Sequence, residues 1–172
     1  MGKVILYSAC SLDGFIARKD GAIDWLFTEG DFGYNDFLKS IETTIMGRKT
    51  FEQVLTFGPF EYNHLNNFIY STSAKIPKEI NAQRISSGIE QFTTELKTKS
   101  TKNIWLVGGG EINTVLLKAG LIDELILSIH PIILGEGIPL FYSTNKQTNL
   151  ALLNTRVYQG GLAQHTYKVL NP

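Results

Sequence analysis

Three short segments carry residue types suited to holding a phosphorylated ligand. Met46-Gly47-Arg48-Lys49-Thr50 closes an apolar run and opens a helical pattern. Gly47 permits a tight turn, and the free amides of the following helix can meet an anion. Arg48 and Lys49 add positive charge, and Thr50 adds a hydroxyl. Val107-Gly108-Gly109-Gly110-Glu111 makes a second strand-to-helix junction. Backbone amides without a Cβ beside them can approach a diphosphate closely. The run is neither the G-x-G-x-x-G fingerprint nor a Walker loop. Glu111 is a contrary signal, because a carboxylate repels phosphate. Tyr70-Ser71-Thr72-Ser73 supplies hydroxyls suited to a ribose or a 2′-phosphate edge. Each segment alone also suits a plain polar turn. Three at successive strand ends suggest a long, multi-phosphate ligand such as a dinucleotide.

Acid–base candidates are fewer. Asp13, Asp31 and Asp36 are the carboxylates nearest these segments in pattern. Each has a plainer role: Asp13 in a turn, Asp31 and Asp36 as helix caps or solvated charges. His64, His130 and His165 have neither metal nor triad spacing, and His130, before Pro131, reads as structural. Cys10 is the single cysteine, so no intrachain disulfide or multi-cysteine zinc site can form. No metal site is expected.

The elements that position these residues follow from hydrophobic period. Residues 4–9, 43–46, 67–72, 104–107 and 124–129 read as buried strands, and 82–86 as a weaker one. Phe37, Leu38 and Ile41 share one helical face; Phe51, Val54 and Leu55 share a second; Ile89, Phe92 and Leu96 a third. Ile112, Val115, Leu116 and Ala119 recur at helical spacing before Gly120. Residues 150–158 and 162–169 flank Gln159-Gly160-Gly161 as a hairpin. In its second strand Ala163, His165, Tyr167 and Val169 alternate with Gln164, Thr166 and Lys168, predicting one covered face and one wetter face. The sum is an α/β sheet, mixed rather than wholly parallel. In such sheets ligands bind beyond the carboxyl ends of the strands.

The chain has 172 residues, 43% hydrophobic and 19% charged, which suits one domain over residues 1–172. Sixteen basic and sixteen acidic side chains cancel. Such a chain has no broad field to attract nucleic acid or anionic membrane. No apolar run approaches the roughly 20 residues of a membrane helix, and the N-terminus lacks a signal-peptide pattern. A cytoplasmic protein with a small-molecule substrate is expected.

The motifs together resemble the dihydrofolate reductase-like superfamily. They are most similar to the stand-alone relatives of the reductase domain of the bifunctional riboflavin-biosynthesis deaminase–reductase. The resemblance rests on Ser11-Leu12-Asp13-Gly14-Phe15-Ile16-Ala17, Met46-Gly47-Arg48-Lys49-Thr50-Phe51-Glu52, Trp105-Leu106-Val107-Gly108-Gly109-Gly110, and Leu121-Ile122-Asp123-Glu124-Leu125 leading to Pro131-Ile132-Ile133-Leu134-Gly135-Glu136-Gly137. These run in family order and cover most of the chain. The resemblance implies a mostly parallel, mixed eight-stranded sheet with flanking helices and a C-terminal antiparallel hairpin, and NADPH as cofactor. Gly47, Arg48, Lys49 and Thr50 match the phosphate grip, and Ser71 and Thr72 the turn beside the 2′-phosphate. Gly108, Gly109, Gly110, Glu111 and Ile112 match the diphosphate and nicotinamide side, and Ala9 and Ile16 the nicotinamide pocket. Trp25 and Ser128 match substrate-side positions.

Departures bear on the substrate. Asp31 and Asp36 both lie near the place of the pterin-holding carboxylate of dihydrofolate reductase, and spacing does not choose between them. The segment between Trp25 and Phe37 lacks the folate enzyme's Pro-rich pattern. Phe15 stands where the riboflavin branch is often basic, and that branch usually lacks the Gly-Arg-Lys-Thr version of the second motif. The deaminase's His-x-Glu and Pro-Cys-x-x-Cys signature does not occur. The implied activity is hydride transfer from NADPH to a small heterocyclic or ribosylaminopyrimidine-type substrate. A true dihydrofolate reductase and a non-catalytic NADPH-binding protein remain alternatives. A homodimer is a candidate assembly, with residues 131–134 as one apolar face.

Overall fold

Apolar runs such as Val4-Ile5-Leu6 and Ile104-Trp105-Leu106 present side chains to both faces of a strand. They are stable only where both faces are covered. The computed structural model, which describes residues 1–170, places them at the centre of an eight-stranded sheet. The strands are β1 (Val4–Ser11), β3 (Ile41–Gly47), β4 (Asn66–Tyr70), β5 (Ala82–Ile85), β6 (Asn103–Gly108), β7 (Glu124–His130), β9 (Asn149–Val157) and β10 (Ala163–Leu170). Their order is β5-β4-β3-β6-β1-β7-β10-β9. From β5 to β7 all neighbours are parallel, and β10 and β9 close the sheet antiparallel. The six parallel strands therefore end on one edge. β1 lies between β6 and β7, so the connections reverse beside it, and a crevice opens at such a switch point.

Two cores flank the sheet. On one side Val4, Leu6, Ile45 and Leu106 pack with Ile89 of α3 (Ile89–Lys99) and Ile112 and Leu116 of α4 (Gly110–Lys118). On the other Ile5, Met46, Ile69 and Trp105 pack with Phe37 of α1 (Tyr34–Lys39) and Phe51 of α2 (Arg48–Val54).

Three departures from the sequence expectation are informative. The helical face expected through Ile41 stops earlier: Ser40 closes α1 by donating its N–H and its hydroxyl to the Phe37 carbonyl, and Ile41 opens β3. A two-stranded sheet of β2 (Phe15–Ala17) and β8 (Ile138–Pro139) forms beside the main one. Strands of three and two residues are too short to show a period. In β10, Tyr167 and Val169 face the core as expected, but Gln164 on the opposite face is only 7% exposed. The loop before α1 folds over that face at Gln164, while Lys168 on the same face stays exposed. Among the described residues no helix is long and apolar enough to cross a membrane.

Candidate functional site

The ends of β3 and β6 meet. A Cβ on Gly47 would stand 3.8 Å from the Gly108 carbonyl oxygen. A Cβ on Gly109 would stand 3.4 Å from Thr50 Oγ1 and 4.0 Å from Ile16 Cδ1. The two glycine turns, Thr50 and Ile16 therefore form one surface. Gly47 is the N-cap of α2 and Gly109 the N-cap of α4, so both helices start here. Gly108 has φ of +108°, a conformation few other residues adopt, and the Gly108–Gly109 peptide is cis. Gly110 packs directly on the Pro139 carbonyl, with no room for a Cβ.

The charged and hydroxylic members lie around this surface. Arg48 Nη1 pairs with Glu52 at 2.8 Å, one helical turn away, and Lys49 is exposed. Glu111 is exposed in the first turn of α4, where a carboxylate suits the helix dipole. The Ile112 side chain is in the core, which leaves its backbone at the helix start. Ser71 and Thr72 leave β4 at once, because Ser71 Oγ accepts the N–H groups of Ser73 at 3.0 Å and Ala74 at 2.9 Å.

On the other side of β1, Ala9, Ser128 and Gln164 are cross-strand neighbours in one row over β1, β7 and β10. Gln164 Nε2 lies 3.0 Å from Ser128 Oγ, 3.1 Å from the Phe32 carbonyl oxygen and 3.3 Å from the Tyr7 hydroxyl. Neither Gln164 nor Tyr7 was marked by a motif. The alternation of β10 assigned Gln164 to the wet face, and Tyr7 sits inside an apolar strand. Trp25 is buried edge-on against His130, with centroids 5.2 Å apart, and its indole N–H has no hydrogen-bond partner among the described residues.

The three aspartates hold structure or solvent. Asp13 accepts the N–H groups of Leu134 at 3.1 Å and Gly135 at 2.7 Å, tying the turn after β1 to the loop after β7. A hydrogen bond from Ser11 and these amides keep its carboxyl below the usual range. Asp31 accepts the N–H groups of Gly33 at 3.1 Å and Asn35 at 3.0 Å, at the start of α1. Asp36 pairs with Lys39 at 2.8 Å, and both are highly exposed. Burial pushes the Cys10 thiol up to about 11, so it carries no thiolate near neutrality.

His130 is buried and hydrogen-bonded at both ring nitrogens. Its Nε2 accepts the Phe27 N–H at 3.1 Å, and its Nδ1 meets the Ser128 carbonyl at 3.2 Å. This needs the neutral ring, and burial holds its pKa below the ordinary 6.5. Unfolding restores the ordinary value, so the unfolded chain takes up the proton first. The contribution of the neutral ring is complete above about pH 6.5 and is lost as pH falls below it. Hydrogen exchange should therefore show Phe27 losing protection, relative to sheet amides, between about pH 7 and pH 5. The same acid loss in His130→Gln would remove His130 as its cause.

The RibD C-terminal domain model matches residues 2–163. The chain belongs to the RibD C-terminal domain family. The chain is 38% identical to the uncharacterized protein YwjB of Bacillus subtilis, over 95% of this chain and 96% of that one. A protein assigned provisionally to riboflavin biosynthesis in Shewanella sp. PV-4 superposes with a TM-score of 0.86 at 28% identity, covering 98% and 99% of the two chains. The RibD C-terminal fold extends to a dihydrofolate reductase of Enterococcus faecalis complexed with NADP(H), with a TM-score of 0.70 at 16% identity over 98% and 97%. That likeness bears out the dihydrofolate reductase-like fold.

Proposed function

We propose that this RibD C-terminal family protein is an NADPH-dependent reductase of a ribosylaminopyrimidine-type substrate. One observation carries the reading. Two glycine turns start α2 and α4 side by side, with Arg48, Lys49 and Thr50 on the first of them. Such a cradle suits a diphosphate, since free amides and cations converge with no Cβ between them. In this reading Gly47 to Thr50 and Gly108 to Ile112 hold the phosphates through their amides and charges. Ser71 and Thr72 lie along the 2′-phosphate edge, and Ala9 and Ile16 line the nicotinamide. When bound, NADPH supplies a hydride from its C4 carbon.

Family membership supports the substrate class. A Thermotoga maritima structure of the same fold is a diaminohydroxyphosphoribosylaminopyrimidine deaminase and 5-amino-6-(5-phosphoribosylamino)uracil reductase; it matches at a TM-score of 0.74 and 15% identity, over 98% of this chain and 57% of that one. A ribosylamino group opens to a carbon–nitrogen double bond. Hydride adds to the carbon and a proton to the nitrogen. The chain's part is to orient that bond and exclude water. Asp13, Asp31 and Asp36 each hold other partners, and in this reading water or a hydroxyl delivers the proton.

Titration with NADPH and NADH tests the reading. Arg48→Ala should weaken NADPH about tenfold, roughly 1.4 kcal/mol. Glu52→Gln should tighten NADPH a few-fold by releasing Arg48, while stability shifts by less than about 0.5 kcal/mol, as for an exposed helical pair. NADPH and NADH binding that is absent, or indifferent to both substitutions, would overturn the cradle. Turnover of 5-amino-6-(5-phosphoribosylamino)uracil then tests the substrate class. Inhibition by low methotrexate together with turnover of dihydrofolate would favour the folate reading instead.

A further inference from the structure

The carboxamide of Gln164 faces more acceptors than it has hydrogens. Its nitrogen reaches the Phe32 carbonyl, Ser128 Oγ and the Tyr7 oxygen, all within 3.3 Å. It carries two N–H hydrogens. The Phe32 carbonyl can only accept and takes one. The second is shared by the two hydroxyl oxygens. The Gln164 nitrogen can only donate, so the Tyr7 oxygen accepts from it at 3.3 Å. The Tyr7 oxygen is thus an acceptor on its protein side. Its own hydrogen meets no acceptor among the described residues.

The ring is held still. Tyr7 stacks on Phe37 with centroids 4.3 Å apart and 21° between planes, and stands edge-on to Trp105 at 84°. Burial, with the Asp31 charge nearby, raises its pKa, so the proton stays on at neutral pH. Tyr7 lies two residues from Ala9 on the same face of β1, and Ala9 is opposite Ser128. Along that face of β7, Ser128 is followed by His130, against which Trp25 keeps its unpartnered N–H. Two unsatisfied donors beside one strand suit a ring that presents carbonyl oxygens.

We infer that Tyr7 is a substrate-binding residue whose hydroxyl donates to a carbonyl oxygen of a dioxopyrimidine ring, and that Gln164 is the positioning residue that aims it. This rests on the reductase reading above. A diaminopyrimidine edge, which offers N–H groups where the dioxo ring has carbonyls, would leave that donor unmatched.

The experiment is steady-state reduction of 5-amino-6-(5-phosphoribosylamino)uracil by the full chain at saturating NADPH. Tyr7→Phe removes only the hydroxyl and keeps the ring stack. Its KM should rise about tenfold, with NADPH affinity and melting temperature unchanged. Gln164→Glu turns the donor into an acceptor, so the Tyr7 hydrogen is drawn to it and the same KM rise is expected. The double variant should be no worse than either single one, because both remove one hydrogen bond. If wild type turns over and Tyr7→Phe matches its KM, the Tyr7 role is overturned and the reductase reading stands. Additive losses in the double variant would overturn the positioning role of Gln164. If wild type binds NADPH but does not reduce the pyrimidine, the substrate reading falls and takes this inference with it.

Discussion

Gly110→Ala should lower the melting temperature by about 6–12 °C and weaken NADPH by at least about tenfold. The new methyl group would enter the Pro139 carbonyl and stand 3.1 Å from the Tyr142 ring. Backbone yields less readily than a flexible side chain, and here it is held from both directions. Asn113 Nδ2 donates to the Leu140 carbonyl at 3.1 Å. Thr114 Oγ1 donates to the Gly110 carbonyl at 2.6 Å and accepts the Tyr142 N–H at 2.8 Å. Pro139 is also paired with Phe15 in the small sheet. The strain cannot leave by a slide of residues 139–142, so the start of α4 must move. Overpacking of this kind costs about 1–3 kcal/mol, and the upper end gives the stated shift for a chain of this size. The same movement pulls Gly109 from Thr50 and opens the cradle. Thermal melts and NADPH titration read the two effects separately. A variant melting within about 1 °C of the parent would mean that the close approach is not rigid.

Trp105→Ala should reduce unfolding free energy by about 3–5 kcal/mol, the usual range for a buried tryptophan. The indole is 4% exposed and stands edge-on to four rings: Tyr7, Tyr34, Phe37 and Tyr62, with centroids 5.1 to 6.3 Å away. Its N–H donates to the Tyr7 carbonyl at 3.1 Å. Truncation would leave a cavity under the strand that carries Tyr7 and orphan that carbonyl. Trp105→Phe keeps a ring and deletes the donor, and should cost less than the alanine variant. Urea unfolding with an unchanged slope is the measurement. A loss below about 2 kcal/mol for the alanine variant would show that the aromatic cluster closes over the gap. In the folded fraction, the pyrimidine KM should rise, because Tyr7 has lost one wall.

Much of the frame was legible because its signals are local. A strand buried on both faces needs an unbroken apolar run, and residues 104–107 carry one. A helix start against an anion needs glycine and an open amide row, and residues 47–50 and 108–112 carry both. These signals depend on neighbours within a few residues, where chain geometry allows few alternatives.

The fates of single polar groups were not legible. Asp13 read as an acid or a turn residue; it stands in the turn, and the sequence did not show that its carboxylate reaches Leu134 and Gly135. Asp31 and Asp36 could not be ranked by spacing; the fold puts one at the start of α1 and leaves the other in an exposed ion pair. Gln164 read as wet because alternation reports only that a strand has two faces, not what covers each.

By itself, then, the order of residues determined the main strands and helices and which turns could face phosphate. Tertiary structure alone decided that Tyr7, Ser128 and Gln164 would share one hydrogen-bond network. Those residues are brought together by strand register, with the first and the last 157 positions apart in the chain. Register is set by packing of whole faces and by loop closure over the sheet. No local pattern of residue types records it.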